Sequence, residues 1–191
     1  MFAATLGAGL LASFALLNAA GFTEENVQVL LRLTARTSFV ILLFVFVARP
    51  LHQFFKTHST SRLLRRRRLL GIAFAGMHTA HLLLIFYRVQ IGEDFELVAR
   101  NIPGAFVYLL IFAMFATSFD STTRWLGRKN WKILHTLGLW VIFIAFAQRE
   151  IPRSLETAES ANWILTTLAV AGLLLRALPR WRSQDTPHWM E

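Results

Sequence analysis

The chain has 191 residues, a formal net charge of +9, 55% hydrophobic residues and no cysteine. Charged residues make up 16% of it, against about 25% in soluble domains, so the composition excludes a disordered chain and argues against an ordinary soluble domain. The lack of cysteine excludes disulfides, zinc–thiolate sites, iron–sulfur clusters and c-type haem attachment. The basic surplus indicates either nucleic acid or a membrane surface as the partner.

Six apolar stretches approach the roughly 20 residues that a membrane-spanning helix needs. We expect spans at about 5–22, 27–48, 69–87, 102–119, 133–147 and 161–175. The second must include Arg32 and Arg36, because its uncharged part is short. The short connections predict antiparallel neighbours. The sequence therefore predicts an all-α membrane protein in which residues 1–191 form one six-transmembrane-helix bundle.

The charges divide unequally between the two sides of this bundle. The side that holds the C-terminal tail and the second and fourth loops carries 14 of the 20 Lys and Arg residues. The opposite side carries 8 of the 11 Asp and Glu residues. The positive-inside rule then makes both termini cytoplasmic. The arginines thus report topology, and we expect lipid rather than nucleic acid as the partner. Because no positive charge precedes the first apolar run, we expect a retained helix rather than a signal peptide.

Three of the six histidines lie inside predicted spans, namely His78, His81 and His135. Ionisable residues at that depth are costly and indicate function. Histidines on facing helices of a bundle can hold a b-type haem without covalent attachment, although a histidine can also serve helix packing alone. Three on two helices favour a ligand role. His78 and His81 share one helix face, and Gly71 and Gly76 would let a flat ligand or a neighbouring helix approach.

Two segments then resemble a known family. The third span opens with Arg67-Arg68-Leu69-Leu70-Gly71 and reaches His81, and the fifth reads Trp125-Leu126-Gly127, then Trp131 and Leu134-His135. From about Leu31 to Arg149 the chain resembles the ferric-reductase-like transmembrane domain family. Within that family it is most similar to the haem-binding membrane subunits of bacterial periplasmic methionine sulfoxide reductase systems.

The resemblance implies a six-helix bundle that carries b-type haem and passes electrons across a bacterial inner membrane. It transfers the iron-ligand role to His81 and His135, and gives His78 no clear counterpart. Gln148 stands where the family usually has a further histidine, so we expect about one haem b per chain. Arg36 reaches the depth of His81 and would either clamp a haem propionate or snorkel to the outer headgroups.

The two proposed ligands differ in depth. His81 lies about 20 Å outward from Arg68 and His135 about 5 Å outward from Lys132, at 1.5 Å per residue. The difference of roughly 15 Å leaves three explanations open. Either the fifth helix starts deeper, or the spans tilt oppositely, or each site has a single histidine.

Nothing in the sequence forms a Gly-rich nucleotide-binding unit. We therefore expect FAD or FMN only through a partner, with electrons arriving from a separate flavin reductase or quinol. They would leave to a periplasmic acceptor protein or a small oxidant. The alternatives are a haem-less membrane anchor or assembly subunit, and a small transporter. Asp120 is interpreted as a helix cap at the membrane surface.

Overall fold

The computed structural model describes residues 23–91, 102–156 and 160–182, and every regular element in these ranges is an α-helix. The helices are α1 (Glu24–Phe55), α2 (His58–Arg65), α3 (Arg67–Ile91), α4 (Ile102–Ala116), α5 (Asp120–Leu126), α6 (Arg128–Glu156) and α7 (Ser160–Arg182). The prediction of an all-α protein is confirmed for the described ranges. The span predicted at 5–22 lies outside them.

Four helices are long and apolar enough to cross a membrane: Glu24–Phe55, Arg67–Val89, Arg128–Glu156 and Ser160–Leu178. A fifth span is counted if α4 and α5 act together, although they are bent by 106° at the break between them. The span predicted at 102–119 is shorter than expected, because α4 ends at Ala116. The described helices thus make this a multi-pass membrane protein with four or five candidate spans.

Helix α1 is the centre of the bundle. It packs against α3 and α7 and, to a lesser extent, against α6. Its buried side chains Phe39, Leu42 and Phe46 form the core, and the ring of Phe46 stacks on that of Phe143 with centroids 4.0 Å apart. Large apolar side chains on the other helices remain exposed, such as Leu83 and Ile164, as expected of a surface covered by lipid.

Pro50 lies inside α1, which continues to Phe55 rather than ending at Ala48 as predicted. Proline has no backbone N–H, so the carbonyl of Phe46, four residues earlier, loses its helical donor. Arg176 of α7 replaces that donor, with its Nη1 2.7 Å from the Phe46 oxygen. Its guanidinium also lies 4.4 Å from the Phe46 ring centroid and 5.1 Å from that of Trp140. The interruption in α1 is thereby repaired by the last helix.

Ion pairs connect the helix ends. Arg68 at the start of α3 lies 2.7 Å from Asp120, and Arg88 near its end lies 3.9 Å from Glu24. Asp120 is therefore not the helix cap that the sequence suggested. The cap position of α5 belongs to Phe119, which makes no side-chain cap hydrogen bond, and Asp120 is the first helical residue.

The contact between Arg176 and Phe46 gives a first test. Arg176→Leu leaves a buried carbonyl without a donor, which costs about 1–3 kcal/mol of stability. In a Pro50→Ala background the restored N–H satisfies that carbonyl, so the same substitution costs less. Thermal unfolding of the four proteins in one detergent forms a double-mutant cycle. An equal loss in both backgrounds would mean that Arg176 stabilises the fold by another route.

Candidate functional site

His81 is held in one orientation by Thr34 of α1. The Thr34 hydroxyl lies 2.8 Å from the Leu30 carbonyl oxygen and 2.8 Å from Nδ1 of His81. When the hydroxyl donates its single hydrogen to Leu30, it accepts from Nδ1, and the neutral ring then carries its proton on Nδ1 and its lone pair on Nε2. In that tautomer the imidazole is prepared to bind a metal through Nε2.

His78 lies one turn earlier on α3, within a group of rings. Its ring centroid is 5.2 Å from that of His81, 4.8 Å from Tyr108 of α4 and 5.2 Å from Phe146 of α6. His78 is buried, and its Nδ1 and the Tyr108 hydroxyl have no hydrogen-bond partner in the described residues. Buried polar atoms without partners are rare in native proteins and indicate water or a ligand.

His135 is anchored by the same kind of contact on another helix pair. The Thr117 hydroxyl donates to the Ala113 carbonyl at 2.7 Å, and its oxygen lies 3.0 Å from Nε2 of His135. Trp131 stacks on the imidazole with centroids 4.3 Å apart and donates its indole N–H to the Thr117 carbonyl. The Thr117 contact therefore occupies Nε2 and leaves Nδ1, the nitrogen nearer the backbone.

The histidines occupy two separate levels of the bundle. His78 contacts Phe146, which lies eleven residues beyond His135 on α6 and so about 16 Å further along the helix axis. At the other end, His135 stacks on Trp131, which lies in the first turn of α6. Helix α6 begins at Arg128, so a deeper start does not remove the separation. In this structure His81 and His135 cannot be the two axial ligands of one haem.

Helices α3 and α6 meet through the rings of Phe74, His78 and Phe146. A Cβ built on Gly71 or Gly76 would meet no described atom within 4 Å. The two glycines therefore do not serve the approach of a described neighbouring helix. Gly71 lies seven residues before His78 and so shares its helix face, whereas Gly76 is exposed. The approach of a flat ligand at Gly71 stays a prediction.

Two of the predicted binding residues point elsewhere. Arg36 faces α7, where its Nη2 donates to the buried Asn162 side chain at 2.7 Å. Gln148 is exposed and lies two residues after Phe146, about 200° around α6 from it. The structure thus directs neither side chain towards His78 and His81, and Arg36 has a protein partner in place of a propionate or lipid headgroups.

Sequence reasoning missed the residues that orient the histidines. Thr34 and Thr117 each lie in or next to an apolar span, and each bonds the carbonyl four residues earlier, which is an ordinary habit of threonine in helices. Only the packing of the neighbouring helix shows that the same hydroxyl also contacts a histidine ring.

Comparison of the chain with protein-family models, with curated proteins and with solved structures finds no match. Within the described residues no group of three or more His, Cys, Asp or Glu side chains is placed to hold a metal ion. The functional argument therefore depends on the single histidines and their surroundings.

Removal of the Thr34 hydroxyl tests whether it orients His81. Thr34→Val leaves the Nδ1–H of a half-buried imidazole without its partner, and we expect a loss of about 1–3 kcal/mol in unfolding free energy. Thr79→Val is the matched control, because the Thr79 hydroxyl bonds only the Ala75 carbonyl of its own helix. Equal midpoints for the two variants in thermal unfolding would show that the hydroxyl does not hold the ring.

Proposed function

We propose that this protein is an integral membrane b-type haem protein that passes electrons from the cytoplasmic side towards an acceptor at the outer face. The observation that carries the proposal is the contact of His81 with Thr34. The Thr34 oxygen lies 2.8 Å from Nδ1 of His81, so Nε2 is the ring nitrogen left to bind a metal. His81 also stacks beside His78, whose buried Nδ1 has no hydrogen-bond partner in the described residues.

The residues around His81 fit a haem with one histidine ligand. The haem would supply the one-electron couple, and His81 would bind its iron through Nε2. Thr34 keeps the imidazole from rotating, as hydrogen-bond partners of metal-binding histidines generally do. The rings of Phe74, Tyr108 and Phe146 surround the adjacent His78 and exclude water from that side.

His135 belongs to a different level and is not a ligand of the same iron in this proposal. Its Nε2, the nitrogen that reaches furthest from the backbone, is bound to Thr117. Its neighbours Trp131 and Arg67 lie at the end that the charge distribution makes cytoplasmic. This is the side on which we propose that electrons enter.

The wider assignment is part of the proposal. It comprises six spans with both termini in the cytoplasm of a bacterium, and membership of the ferric-reductase-like transmembrane domain family. The electron donor would be a separate flavin reductase or quinol, and the acceptor a periplasmic protein or small oxidant. The alternation of helix directions supports this topology, since Arg68 pairs with Asp120 at one end and Arg88 with Glu24 at the other.

Haem content is the direct test. The purified protein should contain about one haem b per chain by a pyridine haemochrome assay. His81→Ala should lose most of it, because the iron loses its protein ligand. His135→Ala should retain most of it, and His52→Ala, on the cytoplasmic extension of α1, is the surface control. A haem content near zero in the parent would favour the haem-less anchor. Loss of haem in His135→Ala but not in His81→Ala would show that the proposal places the haem at the wrong level of the bundle.

The spin state of the ferric iron tests the ligand count. His78 lies three residues from His81 on the same helix and stacks beside it, so it cannot approach the opposite face of an iron that His81 binds. With one histidine the iron should be high-spin in the electron paramagnetic resonance spectrum, and the spectrum of His135→Ala should match the parent. A low-spin bis-histidine signal in the parent would contradict the arrangement.

A further inference from the structure

Arg149 of α6 lies near the helix face that meets α3. It follows Phe146 by three residues. The Phe146 ring contacts that of His78, and His81 follows His78 by three residues on α3. Both helices run in the same direction, because Arg68 at the start of α3 pairs with Asp120 of α5, the short helix directly before α6. One further turn on each helix therefore brings Arg149 next to His81.

The Arg149 side chain is exposed, and nothing in the described ranges forms a hydrogen bond or ion pair with it.

Four other arginines differ in this respect. Arg36 donates to Asn162, Arg68 and Arg88 pair with carboxylates, and Arg176 donates to a backbone carbonyl. Each of these contacts joins two helices of the described structure. Arg149 makes no such contact in the described ranges, and it lies near the helix face that carries the His78 contact. A guanidinium in such a position favours a carboxylate, which it can bind through two parallel hydrogen bonds.

We propose that Arg149 binds a propionate carboxylate of a haem held by His81. The inference depends on the proposed function, and it replaces Arg36 as the propionate-binding residue. It also sets the orientation of the haem, with its propionate edge towards the outer end of α6 and its apolar edge towards Phe74 and Gly71. Arg149 is a binding residue and has no part in ligating the iron.

Binding of haem to the full-length apoprotein in detergent tests this without any assay of electron transfer. The two probes are haem and haem dimethyl ester, whose propionates carry no charge. The parent should bind haem about fivefold more tightly than the ester, as expected of one partly exposed ion pair. Arg149→Gln should bind haem and ester alike, and Arg149→Lys should keep part of the preference. The preference should also shrink at high salt.

Arg32→Gln is the matched control, since Arg32 is a second arginine near the outer end of the bundle, on α1, and it should behave as the parent does. If Arg149→Gln keeps the full preference for haem over the ester, another residue binds the propionate and the inference is wrong. If the parent binds neither probe, the proposed haem site itself is wrong. Thermal unfolding of Arg149→Gln shows whether the variant is folded. The comparison is valid if the folded variant binds the ester as tightly as the parent does.

Discussion

Polar groups inside this bundle must find their partners within the protein, because hydrocarbon offers none. Pro50 removes a donor from the central helix, and Arg176 supplies one from the last helix. Asn162 is fully buried and accepts from Arg36. These contacts join α1 to α7 at two depths. The same requirement explains why His81 and His135 sit beside threonines, whereas the buried Nδ1 of His78 has no partner in the described residues.

Threonine has a particular use here. Its hydroxyl bonds the carbonyl four residues earlier and also contacts one nitrogen of an imidazole on a neighbouring helix. For His81 that nitrogen is Nδ1, which leaves Nε2, and for His135 it is Nε2, which leaves Nδ1. Two histidines that each contact a threonine therefore differ in the ring nitrogen that is left to bind a metal.

The separation of the histidines into two levels has a functional meaning under the proposal. A single iron at the level of His81 lies far along α6 from the end that bears Trp131 and Arg67. Core rings, among them Phe39, Phe46 and Phe143, occupy the bundle between the two levels. They form a dense apolar interior through which electrons would pass and from which water is excluded.

The sequence by itself determined the all-α class, the approximate positions of four of the long helices and the depth difference between His81 and His135. These properties depend on local hydropathy and on the constant rise per residue of a helix, both of which can be counted along the chain. It predicted that the second span ends near Ala48, but not that the helix continues through Pro50 to Phe55, where Arg176 of the last helix bonds the carbonyl of Phe46 that the proline leaves without a donor.

Only the tertiary structure decided which way each polar side chain points. The level of Arg36 was predicted from its position in the second span, but its direction depends on where α7 packs, and it faces Asn162. Gln148 and Arg149 are adjacent in sequence, yet helical rotation separates them by about 100°, and only the contact of Phe146 with His78 shows that Arg149 is on the side of α3. The depth of a residue in the membrane follows from its position along a helix and can be counted from the sequence. The direction in which its side chain points depends on how the helices pack.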